Sequence, residues 1–118
     1  MGSARIEQVF DGQLRPVHAG PPLLLSSQTS WTGFLLERDV CRPGSAVSLE
    51  NVHTSLVLAE STAIEVEDQA LAGAPRFVAR RGSVTLWPAG HESRSMAWRP
   101  LPAGTTSTEM IRVQIDLP

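Results

Sequence analysis

Apolar and polar residues alternate in short segments along the chain, a pattern that predicts β-strands with one buried face. The clearest segment is MIRVQIDL, residues 110–117, whose aliphatic face is predicted to be buried: Ile111, Val113, Ile115 and Leu117. Its polar face, predicted to point toward solvent, consists of Arg112, Gln114 and Asp116. A second segment, AIEVE, places Ile64 and Val66 inward. In a third, WTGFLLERDV, one face is shared by Phe34, Leu36 and Val40.

Nine glycines and nine prolines divide the chain into these short segments, and such punctuation favours β-structure. Pro43 and Gly44 predict a type II turn, in which proline fixes φ and glycine takes a positive φ. Gly82 and Gly90 are also expected at positive φ. Pro88 is expected to end the strand between them, because proline cannot donate to a sheet ladder. No ten-residue stretch shows a convincing helical period, so we predict an all-β sandwich or closed barrel of about eight strands.

The bulk properties describe a single globular domain. The length of 118 residues fits one domain, with residues 1–22 predicted as a polar N-terminal arm and 23–118 as the barrel. A net charge of −2 gives no reason to expect nucleic-acid binding. Cys41 is the only cysteine, so no internal disulfide can form, and the run GPPLLLSS is too short for a signal or membrane segment. We therefore expect a cytoplasmic protein without membrane contact.

Several motifs, taken in chain order, point to one family. They are SQTSWTGFLLERDVCRPG, HTSLVLA, RRGSVTLWPAG with its Gly-x5-Pro-x-Gly spacing, and a downstream MAW. From about Ser27 to Leu117 the chain resembles the N-terminal regulatory domain of AraC-type transcriptional regulators. The resemblance implies a cupin-like double-stranded β-barrel, or jelly roll, that binds a small-molecule effector and forms a homodimer. In that family a separate helix-turn-helix region binds DNA. No such region lies in this sequence, so we expect no direct nucleic-acid binding by this chain, whether it is an excised domain or a stand-alone relative.

Metal-binding cupins hold their ion through histidines at set motif positions, and the corresponding positions here carry other residues. They are Glu50 and Val52 in the first motif and Ser93 in the second. Because a metal site needs three or more converging N, O or S ligands, we predict no metal and no cofactor. The alternative is a small stand-alone cupin enzyme that binds a metal through Glu50, His53 and His91.

Covalent catalysis finds little support in the sequence. Cys41 lies beside Arg42, which could lower its pKa, but no His-Asp constellation accompanies it, and a small apolar residue is the simpler interpretation. The chain has no G-x-S-x-G elbow and no glycine-rich phosphate loop. We therefore predict a protein that is not an enzyme.

Ligand binding inside the barrel is the function that remains. Trp31, Trp87 and Trp98 are predicted to form an apolar wall, although a strand tryptophan is more often plain core. The polar groups predicted to orient a ligand are Glu50, His53 and Ser93, with the alternative that Glu50 and His53 lie at the rim in water. Such groups suit a neutral polar or a cationic small molecule. An interior filled by side chains would instead indicate a protein-interaction barrel.

Overall fold

The computed structural model describes residues 6–18, 23–25 and 34–115, and within these ranges every regular element is a strand. The strands are β1 (Glu7–Phe10), β2 (Gln13–Pro16), β3 (Leu24–Leu25), β4 (Phe34–Cys41), β5 (Gly44–Glu50), β6 (Thr54–Ala59), β7 (Ile64–Glu67), β8 (Arg76–Ala79), β9 (Val84–Trp87), β10 (Glu92–Pro100) and β11 (Thr108–Ile115). The all-β prediction is confirmed.

Two antiparallel sheets face each other across the core. One sheet has six strands in the order β2-β1-β5-β10-β7-β8, and the other has five in the order β3-β4-β11-β6-β9. Sequence neighbours such as β4 and β5 lie in different sheets, so the chain crosses between the layers repeatedly. This arrangement is the double-stranded barrel that the motif resemblance implied, and it agrees with the sandwich or closed barrel that the short alternating segments predicted.

Part of the predicted N-terminal arm is built into the first sheet. β1 and β2 form a hairpin whose turn residues, Asp11 and Gly12, both have positive φ, 49° and 85°. Asp-Gly is the usual sequence for a two-residue hairpin turn of this kind. β1 also pairs with β5, and Phe10 is only 6% exposed. The hairpin therefore closes one side of the core.

The predicted turns are confirmed at three of four places. Gly82 and Gly90 have φ values of 83° and 81°, and β9 ends at Trp87, directly before Pro88. The type II turn at Gly44 was wrong, because this glycine opens β5 and is not among the residues with positive φ. Instead, a Cβ on Gly44 would lie 2.6 Å from Cζ2 of Trp98. Glycine is needed there for the close approach of the indole ring.

The strand β7 has the predicted orientation, with Ile64 and Val66 only 5% and 7% exposed. In β11 the predicted orientation was wrong. Met110 and Gln114 are buried, at 3% and 7% exposure, Arg112 lines the interior, and the opposite, aliphatic face is turned outward.

Strand β4 shows the same inversion, with Glu37, Asp39 and Cys41 buried at 1%, 2% and 3% exposure. Oppositely charged side chains from β4 and β11 compensate one another inside the barrel, which allows these polar faces to be the buried ones. Leu117 and the side chain of Phe34 lie outside the described residues.

Candidate functional site

A partly enclosed cavity of about 80 Å³ lies between the two sheets. Its walls are mainly apolar and include Phe77, Trp87, Met96, Trp98 and Met110. A single water needs only about 10–15 Å³ of such space, so the cavity has room for more than a trapped solvent molecule. The barrel interior is therefore open rather than filled by side chains.

Two predicted tryptophans form part of this wall. Trp87, at the end of β9, is 8% exposed, and its ring centroid lies 6.0 Å from that of Phe77. Trp98, on β10, packs over Gly44 and lines the same space. Aromatic side chains at such spacing provide a rigid apolar surface for a flat ligand.

Arg112 brings a positive charge into the cavity wall. It lies in the middle of β11, between β4 and β6, where its register partners are Glu37 and Val57. Its guanidinium Nε and Nη1 atoms are buried, and neither meets a hydrogen-bond acceptor within the part of the chain that the structure describes. Buried donors without acceptors are costly, so this side chain is equipped to bind an acceptor atom of a ligand.

Burial and the neighbouring acidic side chains act in opposite directions on the charge of Arg112. Burial lowers the pKa of the Arg112 guanidinium to about 10, and the attraction of Glu37, together with Cys41 and Asp39, opposes that shift. A pKa of about 10 keeps the group protonated at neutral pH. Two carboxylates beside one guanidinium already compensate its charge, so the cluster does not need an anionic ligand.

A second buried donor comes from the turn after β5. Asn51 is 1% exposed, and its Oδ1 accepts a hydrogen bond from Nε2 of Gln8. The Asn51 backbone is fixed by its N–H, which donates to the carbonyl of His91 at 3.0 Å, and by its carbonyl, which accepts from Gly90 N–H at 2.7 Å. Its Nδ2 atom is buried without an acceptor in the described ranges. Asn51 and Gln8 both line the cavity, so they add polar groups to its wall.

Cys41 also lines the cavity, but it is poorly suited to nucleophilic chemistry. Burial raises the pKa of its thiol to about 11, and the nearby Arg112 charge only partly opposes this. The thiol is therefore protonated at neutral pH, when the thiolate would be the reactive form. This agrees with the interpretation of Cys41 as a small apolar residue rather than a nucleophile.

A separate polar cluster, centred on Asp68, fixes the loop after β7. The Asp68 side chain has 0% exposure and accepts hydrogen bonds from the N–H groups of Ala70 and Arg94 at 2.9 and 3.1 Å. His91 Nε2 lies 3.0 Å from its Oδ2. Burial pushes the pKa of Asp68 upward, but hydrogen bonds to its carboxylate, led by the one from His91, outweigh it, so the pKa lies below its usual value.

Three of the predicted polar site residues do not reach the cavity. Ser93 is fully buried at 0% exposure and is not among the residues that line the cavity. Glu50 and His53 are exposed. Leu49 takes the inward position at the end of β5, so the next side chain, Glu50, must point outward. Trp31 lies outside the described residues.

The donors for a metal centre are not brought together. Across residues 6–18, 23–25 and 34–115, no group of three or more His, Cys, Asp or Glu side chains could hold an ion. Of the alternative trio, Glu50 and His53 are exposed and His91 is engaged with Asp68. The residues present therefore do not fit a cupin metal site.

Comparison with known proteins identifies the fold. No family model and no curated protein sequence matches the chain. Among solved structures, a cupin-2 domain protein from Shewanella frigidimarina is similar, with a TM-score of 0.56 and 7% identity over 82% of this chain and 84% of that one. A protein from Ralstonia eutropha, provisionally assigned as a mannose-6-phosphate isomerase, has a TM-score of 0.58 and 17% identity over 98% and 91%. The enzyme HppE in its FeII form has a TM-score of 0.52 and 10% identity over 70% and 44%.

These similarities establish a cupin-like double-stranded β-barrel. Identities of 7–17% carry the fold and not the chemistry. The described ranges also contain no helix long and apolar enough to span a membrane.

Proposed function

We propose that this protein is a non-catalytic, metal-free cupin-like barrel that binds a small molecule in its interior cavity. The finer proposal is that it serves as the effector-sensing module of an AraC-type transcriptional regulator in the cytoplasm, with DNA binding carried out elsewhere. The observation that carries the binding function is the apolar cavity with the unsatisfied buried donors of Arg112 on its wall. The regulator role rests on the motif resemblance over residues 27–117.

The chemistry of the wall defines the ligand class. Phe77, Trp87 and Trp98 favour a flat apolar body. The Arg112 guanidinium and the Asn51 amide both offer N–H donors, so the ligand carries an acceptor oxygen. Glu37 and Asp39 already compensate the charge of Arg112. A neutral carbonyl compound therefore fits better than a carboxylate, whose charge Arg112 does not need, or an ammonium ion, which offers no acceptor.

A series of matched aromatic probes tests this assignment. Acetophenone, toluene, benzoate and benzylamine share one ring and differ in the polar substituent, so the apolar contribution is held nearly constant. We expect thermal stabilisation in the order acetophenone first, then toluene, with benzoate and benzylamine last. A probe at about one hundred times its Kd should stabilise the fold by about 2.7 kcal/mol, which raises the melting temperature by several degrees. An absence of stabilisation by all four, or benzylamine ranking first, would contradict the proposed ligand class.

The regulator role needs a separate measurement, because binding alone does not show signalling. The chain can be fused to a DNA-binding domain that requires dimerisation, with a reporter gene as the readout. We expect the reporter to respond to the probe that binds best in the cavity, and the response to be lost in Arg112→Met. A fusion that binds the probe and gives a constant reporter signal would retain the binding function and refute the regulatory one.

A further inference from the structure

The outer surface of the five-stranded sheet carries aliphatic side chains where a solvent-facing sheet normally carries polar ones. We call this surface the outer aliphatic face, and it consists of Leu36, Leu56, Leu58, Val84, Leu86, Ile111, Val113 and Ile115. This face lies outside because β4 and β11 turn their other faces, which include Glu37 and Arg112, into the barrel. Val84 and Leu86 are 60% and 58% exposed, and the other members are part-buried.

The strand register makes this face continuous. Val113 is opposite Leu36 on one side and Leu56 on the other, and Leu56 is opposite Leu86. These four residues form one unbroken row across four strands. In the next row, Ile111 is opposite Leu58, and Leu58 is opposite Val84. The side chains are thus neighbours on one surface, and Val113 lies near the middle.

The extent of the face is that of an interface. With four strands about 4.8 Å apart and five residues at about 3.4 Å each, it spans roughly 19 by 17 Å, or about 320 Å² in plan. A typical monomer exposes a largest apolar patch of about 300–600 Å², and such patches are often functional. Adding one surrounding strand or residue on each side brings the covered area to about 700 Å² per partner, within the range of a standard stable interface.

The charges at its border argue against a polyanion or an anionic membrane as the occupant. Arg38 stands at the end of the Ile111 row, and its guanidinium makes ion pairs of 2.7 Å with both Glu60 and Glu109. Arg81 reaches the same border, where its Nε donates to the Glu60 carbonyl at 3.4 Å, so two positive charges meet two negative ones. The whole chain has a net charge of −2. Because these ions already pair within one subunit, an apolar partner surface can cover the face without leaving a charge unpaired.

We propose that the outer aliphatic face binds the same face of a second copy of this chain, forming a two-fold symmetric homodimer by sheet-on-sheet packing. Two sheets can pack face to face with their strands about 30° apart, and a two-fold axis requires a surface that complements itself. The motif resemblance implied a homodimer without indicating its surface. This proposal does not depend on which ligand enters the cavity.

The test is Val113→Asp, measured by sedimentation equilibrium across the micromolar range. We expect the wild type to be dimeric and the variant to dimerise at least about tenfold more weakly, because the two-fold axis brings the new carboxylates close together. Val47→Asp is the matched control. Val47, on β5, is 77% exposed and belongs to the other sheet, so this variant should dimerise like the wild type.

A second variant distinguishes a weaker dimer from a loss of folding. Leu86→Arg introduces a charge at a position that is already 58% exposed, so it should remain folded and also weaken the dimer. A wild type that stays monomeric would overturn the proposal. Binding of that monomer to lipid vesicles or to another protein would assign the face to a different occupant and would overturn it as well. The proposal also fails if Leu86→Arg dimerises as tightly as the wild type, or if Val47→Asp weakens the dimer as much as Leu86→Arg does.

Discussion

Substitution of Gly44 by alanine tests how the cavity wall is built. The added Cβ would lie 2.6 Å from Cζ2 of Trp98, whereas ordinary contact begins near 3.4 Å, so the ring must withdraw by the difference, 0.8 Å. Overpacking of this kind costs about 1–3 kcal/mol. A gain of about 0.4–1 kcal/mol from restricting the unfolded chain opposes it. We expect Gly44→Ala to be less stable by about 1–2 kcal/mol in urea unfolding, with a change in tryptophan fluorescence.

Asparagine distinguishes the two explanations for this glycine. If Gly44 were required for a positive φ, Gly44→Asn would be milder than Gly44→Ala, because asparagine enters the left-handed region more readily. If crowding by Trp98 is the cause, the larger asparagine must be at least as harmful. Gly82 provides the control, since its φ is 83° and a Cβ there would meet nothing within 4 Å. At Gly82 asparagine should be milder than alanine, and the same order at Gly44 would refute the packing explanation.

Three further predictions concern the polar groups and metal content. The pKa of Asp68 is lowered in the folded state, so its contribution to stability is present above its unfolded value of about 4 and is lost as the pH falls through the lower folded value. Urea titrations at several pH values should show that loss in the wild type and a weaker acid dependence in Asp68→Asn; equal acid dependence would contradict it. The Cys41 thiol, with a pKa of about 11, should resist iodoacetamide at pH 8 until the protein unfolds, and rapid labelling of folded protein would show that the burial is overstated. Protein purified without a chelator should contain no stoichiometric transition metal by elemental analysis, and a full equivalent of nickel, zinc, iron or manganese would favour the metal-enzyme alternative.

Local sequence signals were sufficient for the strands and most turns. Gly82, Pro88 and Gly90 act through their own backbone conformations, so their roles can be deduced without knowledge of distant residues. Gly44 could not be interpreted this way, because its requirement comes from Trp98, more than fifty positions away along the chain. Its proximity to Pro43 suggested a turn, whereas the actual constraint is contact between the sheets.

Alternation alone does not specify which face of a strand is buried. In β11 it correctly separated the Ile111 side from the Arg112 side, and the apolar side was then assumed to face the core. The assumption failed because Glu37 and Asp39 on β4 compensate Arg112 across the sheet, and this pairing is set by register. One signal for this pairing is present in the sequence. Two acidic residues, Glu37 and Asp39, stand at alternate positions in the middle of β4, and a basic residue, Arg112, stands in the middle of β11.

The candidate site could be predicted only in part from the sequence, for a related reason. Trp87 and Trp98 were identified because large aromatic residues in strands commonly line the interior. Gln8, Asn51 and Arg112 come from three separate segments, and no spacing rule links them. The motif position Ser93 is buried away from the cavity, and the buried Asp68 belongs to a loop with no distinctive sequence pattern.

The central claim, that Arg112 recognises a neutral acceptor inside the barrel, is tested most directly by calorimetric titration of acetophenone. The matched proteins are the wild type, Arg112→Met and Arg80→Met, the last removing an exposed arginine from the β8–β9 loop. A hydrogen bond to a charged group contributes about 1.5–3 kcal/mol, so Arg112→Met should bind acetophenone roughly ten- to hundredfold more weakly. Its affinity for toluene should change little, and Arg80→Met should match the wild type. Equal acetophenone affinity in Arg112→Met and the wild type, with both proteins folded, would contradict the claim.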